Sequence, residues 1–547
     1  MSFEIRSRDL MARICSLKTK NGSIETPALL PVVNPTNMTI PSNELIDEFK
    51  LRAITTNAYI IKRNLENQAI EQGVHKLLNF PYTILTDSGA YQILVYGKVG
   101  ITPEEIVKFQ EAIDTDIAVI LDIPTQWQAK RSYAELTVEE TLKRAKISLQ
   151  SITRDDILWV GPIQGGRYLD LVEYSAKQMG ELPFQIHALG SPTQVMEQYY
   201  FDVLVNMIVS AKRNMPIDRP LHLFGAGHPF MFAFAVALGC DTFDSAAYAL
   251  YAREQRYMTE SGTIKLDQLE YFPCNCNVCS KYQPKELKET PFEMRVKLLA
   301  KHNLHTCLEE IQRIKQAIKE GRLWELLELR ARGHPSLLQA LRELDKHKEL
   351  MEEYSPVSKE RGLFYFGSTG LARPEVIRHK KRLLERYVPP MDSEVLILLP
   401  QTKTKPFHRS REIKRVLNKI HHLMGEKAFK LHVCIMAAPF GVVPIEIDEL
   451  YPLSQFEIAL PTDDETLDYV SKQVAEYVAT HKYRVVILHN DPKLMGSSVL
   501  NECKKTCEAL GIKFLASPTD DKPWGKNAIN GLIEIVSGIF KNGLEYQ

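Results

Sequence analysis

The sequence predicts an α/β protein whose first half is a (β/α)8 barrel and whose last third is a small α/β domain. Three observations carry that expectation. Short apolar runs alternate with amphipathic stretches through the first 250 or so positions, the pattern of parallel strands joined by helices. Polar and glycine-rich residues follow directly on the apolar runs. A cysteine cluster and a long helical region then separate this part from a second strand-and-helix alternation.

The apolar runs lie at 28–33, 52–58, 83–86, 116–121, 157–163, 184–189, 221–224 and 240–243. Eight such units in about 250 residues is the size of a (β/α)8 barrel. In barrels of this kind the reacting groups project from the C-terminal strand ends. Asp87-Ser88-Gly89, Asp122-Ile123-Pro124, Gln164-Gly165-Gly166, Gly190-Ser191, Gly225-Ala226-Gly227 and Asp244-Ser245 each follow a run, so they are expected on one rim.

The region 292–353, rich in Leu, Glu, Lys and Arg, reads as helical and is expected to pack on the side of the barrel. Pro356, Gly362, Gly367, Gly370 and Pro374 interrupt it, the basic helix Arg378-His379-Lys380-Lys381-Arg382 follows, and Pro389-Pro390 ends that helix. The expected division is a barrel domain over 1–345, a linker and basic helix over 346–390, and an accessory domain over 391–547. In the last of these, strand-like runs at 395–399, 431–436, 484–488 and 512–516 alternate with helices, and a helix near 529–540 closes the chain.

Of the 547 residues, 44% are hydrophobic and 25% charged, the composition of a globular protein rather than a disordered or fibrous one. Lys+Arg and Asp+Glu are both 68, so no global positive field attracts nucleic acid, and any RNA contact must come from local patches. One such patch is the run Lys403, Lys405, His408, Arg409, Arg411, Lys414 and Arg415, which equally reads as a solvated helix face. No apolar run reaches the length of a membrane span; the longest, 229–239, reads as a buried helix. With no leader-like N-terminus and few cysteines, a cytoplasmic location is expected.

Three of the nine cysteines crowd into Cys274-Asn275-Cys276-Asn277-Val278-Cys279, and His302 follows in the helical region. Three thiolates and one imidazole form a closed tetrahedral zinc site. The expectation is one structural zinc, in a subdomain inserted into or appended to the barrel, with His305 as the rival fourth ligand.

Asp244 lies just past an apolar run, where a carboxylate can attack an anomeric carbon. Retaining glycosyl transfer needs one carboxylate as nucleophile and a second group to move protons on the leaving and incoming groups; Asp87 is the natural second group. Asp241 is a local competitor, but its position inside the run suits a cap or a pairing with a neighbour. Asp122 and Gln164 suit base reading, because a carboxylate accepts from purine-like N–H groups while an amide donates to a carbonyl. Backbone N–H groups near Gly190 are candidates to assist. Each residue alone reads more readily as a strand-end cap; their shared rim gives the reading its force.

Leu85-Thr86-Asp87-Ser88-Gly89-Ala90-Tyr91-Gln92, Gly161-Pro162-Ile163-Gln164-Gly165-Gly166, the segment from Phe243-Asp244-Ser245 to Tyr251, and the Cys/His signature closely resemble the tRNA-guanine transglycosylases, and more specifically their archaeal branch. The resemblance runs over about 10–340. The C-terminal segment, with Pro439-Phe440-Gly441-Val442-Val443-Pro444, resembles the accessory domain of archaeal members. It implies exchange of guanine 15 in the tRNA D-loop for 7-cyano-7-deazaguanine, the precursor of archaeosine. It further implies Asp244 as nucleophile on ribose C1′, Asp87 as general acid/base, and Asp122, Gln164, Gly190 and Ser88 as substrate-binding residues. Cys274, Cys276, Cys279 and His302 match the zinc ligands.

Base-for-base exchange on one sugar needs no energy source or redox cofactor, and the sequence has no Walker A motif. The target base must leave its stack, so base flipping or local unfolding of the RNA is implied. Archaeal relatives often end in a PUA-type RNA-binding domain, whereas this sequence ends on a helix; a separate PUA-domain protein is therefore an expected partner, with homodimerisation a further expectation. Two rival readings are an amidating archaeosine synthase paralogue and a non-catalytic tRNA-binding subunit. Retention of both Asp87 and Asp244 in their motifs argues against each.

Overall fold

The computed structural model describes residues 3–90, 100–519 and 522–541; Tyr91 and Gln92 of the first motif lie outside them. Two compact units divide between His347 and Lys348.

The first unit begins with an antiparallel sheet of β1 (Phe3–Asp9), β2 (Ala12–Thr19) and β3 (Gly22–Thr26). The sequence reading placed no strands here, although β1 alternates half-buried and exposed residues in strand fashion. Eight parallel strands follow: β4 (Ala28–Pro31), β5 (Ala53–Asn57), β6 (Thr83–Asp87), β7 (Ile117–Val119), β8 (Leu158–Ile163), β9 (Ile186–Leu189), β10 (Leu221–Leu223) and β11 (Thr242–Ser245). Each pairs with the next from β5 to β11, and β11 pairs back onto β4. Between β4 and β5 the join is a single bridge, Val32 to Thr55, with Val33 N–H donating to the Thr55 carbonyl at 2.8 Å. The expected (β/α)8 barrel is thus present and nearly closed.

Leu30, Ala53, Leu85, Val119, Val160 and Ala188 fill its interior together with Leu17 and Ile24 of the N-terminal sheet. Burying each large aliphatic side chain stabilises by about 1.5–3 kcal/mol. The N-terminal sheet packs at the strands' starting ends: Thr19 Oγ1 meets Thr83 Oγ1 at 2.7 Å, and Asn21 N–H donates to Asp116. The opposite end, where the strands finish, is left for a site.

The outer helices start where the sequence supplies caps. Asn57, the last residue of β5, accepts from the Ile60 N–H to begin the helix Ala58–Leu77, and Thr102 with Glu105 forms a capping box for Pro103–Ala112. The apolar run at 229–239 is buried as a 3-10 turn, Pro229–Met231, followed by the helix Phe232–Ala237. A hairpin of β12 (Arg256–Thr259) and β13 (Gly262–Lys265), also unforeseen, leads from β11 towards the cysteine cluster. The long helix Phe292–Glu320 contacts β12 and β1, and Gly321 at φ 70° ends it in a left-handed cap.

In the second unit β14 (Leu363–Tyr365) runs parallel to a later strand, β18 (Phe456–Ile458). The central sheet contains β15 (Val395–Pro400), β16 (Leu431–Ala437), β17 (Gly441–Pro444), β19 (Val485–Leu488) and β20 (Lys513–Ala516), in the order β17-β16-β15-β19-β20. Only β17 is antiparallel. Ile413, Val416, Ile529 and Leu532 cover one face; Val470, Val474, Val499 and Cys503 cover the other. This is the expected small α/β domain, a doubly wound sheet. Its basic run is partly committed: His408 Nδ1 lies 2.7 Å from Asp448, Arg409 pairs with Glu449, and the Lys405 ammonium sits 4.2 Å from the Phe456 ring centre. No helix among the described residues is long and apolar enough to cross a membrane.

Candidate active site

The strand ends opposite the N-terminal sheet surround a cavity of about 890 Å³, lined among others by Asp87, Asp122, Gln164, Gly190 and Asp244. Five of the six rim residues singled out from the sequence therefore meet in one place. Ser88 does not line the cavity; it is fully buried, and its Oγ has no hydrogen-bond partner among the described residues.

Asp87 and Asp244 are strand residues rather than residues beyond strand ends. Asp87 closes β6 opposite Asn57, and Asp244 lies in β11 opposite Leu30. Asn57 Nδ2 donates to Asp87 Oδ2 at 3.1 Å, so the same residue that starts a helix also orients this carboxyl. Burial, with the charges of Asp244 and Asp122 adding to it, pushes Asp87 up to about 7. Desolvation also raises Asp122, to about 6, against the opposing hydrogen bond from Gln164.

Gln164 Nε2 donates to Asp122 Oδ2 at 2.5 Å, while its Oε1 accepts from Thr125 N–H and Ser191 Oγ. The amide and carboxylate form one preset pair. Gly190 belongs to it sterically: a Cβ there would lie 2.2 Å from Gln164 Nε2. Gly190's own N–H donates to the Ile163 carbonyl at 2.8 Å, so any assisting backbone donor there comes from a neighbouring residue.

Asp244 Oδ1 accepts from Gly225 N–H at 2.7 Å and lies 3.3 Å from His222 Nε2. Gly225 has φ 61°, and a Cβ on it would meet Thr193 Oγ1 at 2.5 Å, so backbone shape and space both demand glycine. Asp241 is structural. Its two oxygens take Arg13 Nε and Nη2 at 2.8 and 2.9 Å, and Leu221 N–H as well, in a fully buried setting.

Away from the cavity, Cys274, Cys276, Cys279 and His302 bring their ligand atoms within 4.8 Å of one another. His302 Nδ1 lies 3.5 Å from both the Cys276 and Cys279 sulfurs. Tetrahedral zinc with bonds of about 2.3 Å to sulfur and 2.0–2.1 Å to nitrogen would separate those atoms by about 3.6 Å. His302 Nε2–H donates to the Met258 carbonyl at 2.8 Å, leaving Nδ1 as the ligand atom. The residues fit a metal ion. His305, the rival, points outward, with 43% of its side chain exposed beside Glu309.

The family model for queuine tRNA-ribosyltransferase matches residues 9–336, and a domain of unknown function matches 376–536. The tRNA-guanine(15) transglycosylase of Methanococcus aeolicus is 46% identical over 464 residues, 83% of this chain and 68% of that protein. Those of Methanocaldococcus jannaschii and Saccharolobus solfataricus are 43% and 42% identical, covering 87% and 90% of this chain and 73% and 97% of the relatives. The chain belongs to the tRNA-guanine transglycosylase family, in its archaeal branch. Transglycosylases of this family are pentosyltransferases, and the carboxylate-lined cavity suits that chemistry.

Sequence reasoning missed three features of this transglycosylase site. His222 lies within the apolar run of β10 and reads as core; Thr242, which holds the imidazole, sits at the start of β11; Asn57 reads as a simple cap. The one available signal was a histidine interrupting an otherwise aliphatic strand.

Proposed function

We propose that this chain exchanges guanine 15 of tRNA for 7-cyano-7-deazaguanine, on the route to archaeosine, through a covalent ester between Asp244 and the ribose. The observation that carries the reading is the convergence of Asp87, Asp122 and Asp244 on one cavity, with Asp87 raised to about 7. A group that titrates near neutrality can donate a proton in one half-reaction and take one back in the next.

In the first half-reaction the Asp244 carboxylate attacks ribose C1′, the C1′–N9 bond breaks, and Asp87 supplies the proton that the departing guanine needs. In the second, N9 of the incoming base attacks C1′, the ester bond breaks, and Asp87, now a carboxylate, takes the N9 proton. The retained configuration follows from two displacements. Asp122 accepts from the base's N–H groups, and Gln164, already anchored by Oε1, directs its remaining N–H at the carbonyl. Gly190 supplies the space that this pair needs, and the Ser88 backbone N–H donates to Asp87.

The ion at Cys274, Cys276, Cys279 and His302 is read as one structural zinc, since four protein ligands leave no open position for water. The barrel domain, 1–345, carries the chemistry; the expected linker, 346–390, contributes β14 to the second unit alongside the accessory domain, 391–547. A separate PUA-domain protein is the proposed aid to tRNA binding, because a chain with no net charge offers phosphates only local cations. Self-association and action in the cytoplasm complete the reading.

The decisive test is the Asp244→Asn variant, which is expected to fold and bind guanine yet form no covalent adduct with tRNA on a denaturing gel. An adduct of normal yield would place the nucleophile elsewhere. Incorporation of labelled guanine, competed by unlabelled 7-cyano-7-deazaguanine, tests the second substrate.

A further inference from the structure

We infer that His222 is a positioning residue that selects which oxygen of Asp244 attacks the ribose and which donors greet the carboxylate when it leaves again. The inference rests on the reading of Asp244 as nucleophile.

Two hydrogen bonds hold the His222 imidazole in place. His222 is buried in β10, with about 1% of its side chain exposed. Its Nδ1 lies 2.9 Å from Thr242 Oγ1, and its Nε2 lies 3.3 Å from Asp244 Oδ1. Strand pairing fixes both neighbours, since His222 and Thr242 are partners in the β10–β11 ladder and Asp244 is two residues further on the same face. A carboxylate can only accept, so the bond to Asp244 requires a proton on Nε2, and the Thr242 hydroxyl, donating to Nδ1, favours that tautomer. Thr242 is thus the group that holds the imidazole with its Nε2–H towards Asp244.

Both donors, His222 Nε2–H and Gly225 N–H, converge on Oδ1. No hydrogen bond reaches Oδ2 among the described residues, while Asp244 as a residue lines the cavity. Oδ2 is thus the oxygen with an unengaged lone pair facing the ribose. Attack by Oδ2 on C1′ expels the base with the C1′–N9 electron pair, and the ester then carries Oδ2 as its bridging oxygen and Oδ1 as its carbonyl. In the second half-reaction N9 of the incoming base displaces Oδ2, the electron pair returns to the carboxyl group, and the N9 proton goes to Asp87. Charge grows on the carboxyl during that departure, and both donors are already aimed at the oxygen that shares it. They bind the carboxylate more strongly than the ester carbonyl, because hydrogen bonds to charged acceptors are the stronger ones. His222 is therefore expected to matter most for discharge of the adduct.

The test uses the full chain, tRNA and labelled guanine, with adduct formation and adduct discharge timed separately by rapid quench. His222→Phe keeps a flat ring but removes the donor. It should slow discharge by about 10- to 100-fold, the worth of one hydrogen bond to a charged group, while formation changes by less than about threefold. His222→Gln, which returns an N–H donor, should recover most of the loss, and Thr242→Val, which frees the tautomer, should lose less than His222→Phe in the same step. Discharge at the parent rate in both His222→Phe and Thr242→Val overturns the inference. So does an equal fall in both half-reactions that His222→Gln does not relieve, since that is the signature of a packing role. Asp244→Asn, run alongside, separates the two readings. If it still forms adduct, the assignment of the nucleophile has failed; if it forms none while His222→Phe behaves as the parent, only the role of His222 has.

Discussion

In the proposed reaction Asp87 moves the proton, and its environment gives it a pH signature. Burial first, then the neighbouring carboxylates Asp244 and Asp122, raise it to about 7. It is protonated below that pH and a carboxylate above. Formation of the adduct, which needs the acid, should fall about tenfold per pH unit above 7, and discharge, which needs the base, should fall likewise below 7. Single-turnover rates across pH 5.5–9 would show the opposed limbs; Asp87→Asn should abolish both limbs and lower the rates by about 10²–10⁴-fold. A profile for Asp87→Asn identical to the parent's would assign the titration to another group. Asp87, Asp122 and Asp244 were legible because acidic residues after apolar runs are expensive to place by chance on one rim. His222 was not, since its significance comes from a cross-strand neighbour, and register is invisible in a single sequence. Gly190 was legible as a position but not as a cause. Only the structure shows that it makes room for Gln164.

At the scale of elements, an aspartate beside a catalytic motif is tied into a buried ion pair, and a cysteine of the proposed zinc site is expected to serve stability. Asp241 and Arg13 form a buried pair joining β2 to the residue ahead of β11. Asp241→Asn leaves the Arg13 charge without its counter-ion and should cost about 3–5 kcal/mol in a denaturant titration, with adduct yield per folded molecule unchanged. Loss of adduct from a fully stable variant would restore Asp241 as a candidate nucleophile. Cys276→Ser removes one of four ligands and should lose the metal and about 5–15 °C of melting temperature together; retained metal by elemental analysis, or an unaltered melt without it, would refute a structural ion. The barrel strands were readable from apolar runs, and their ends shifted by at most two residues, enough to move Asp244 into β11. The N-terminal sheet and the hairpin of β12 and β13 were missed although Asn21-Gly22 and Ser261-Gly262 mark their turns, because the flanking strands are short or half-exposed and carry no continuous apolar run.

Across the whole molecule, positive and negative charges balance, and the strongest basic run spends His408 and Arg409 on local carboxylates. Lys403, Arg411, Lys414 and Arg415 of that run are then left to meet phosphate. The affinity of the isolated chain for tRNA should fall with salt along a shallow log–log slope of magnitude about 3–5, measured by filter binding or anisotropy. A slope near 10 would mean that an extended phosphate track exists on this chain. The two-part architecture was legible from the second strand-and-helix alternation, whereas the partner of β14 was not, since β18 lies far along the chain.

The barrel's single weak join has a kinetic consequence. β4 and β5 meet only through the Val32–Thr55 bridge and the bonds that Val33 makes to Thr55 and Thr56. β4 supports β11 and Asp244; β5 supports β6 and Asp87. The seam thus runs between the supports of the two carboxyls proposed to react, and thermal opening there changes their separation while leaving every other strand pair intact. Backbone amides at Val33 and along β5 should trade their hydrogens for deuterium sooner than those of β8 and β9, and occupancy of the cavity by guanine should slow them selectively.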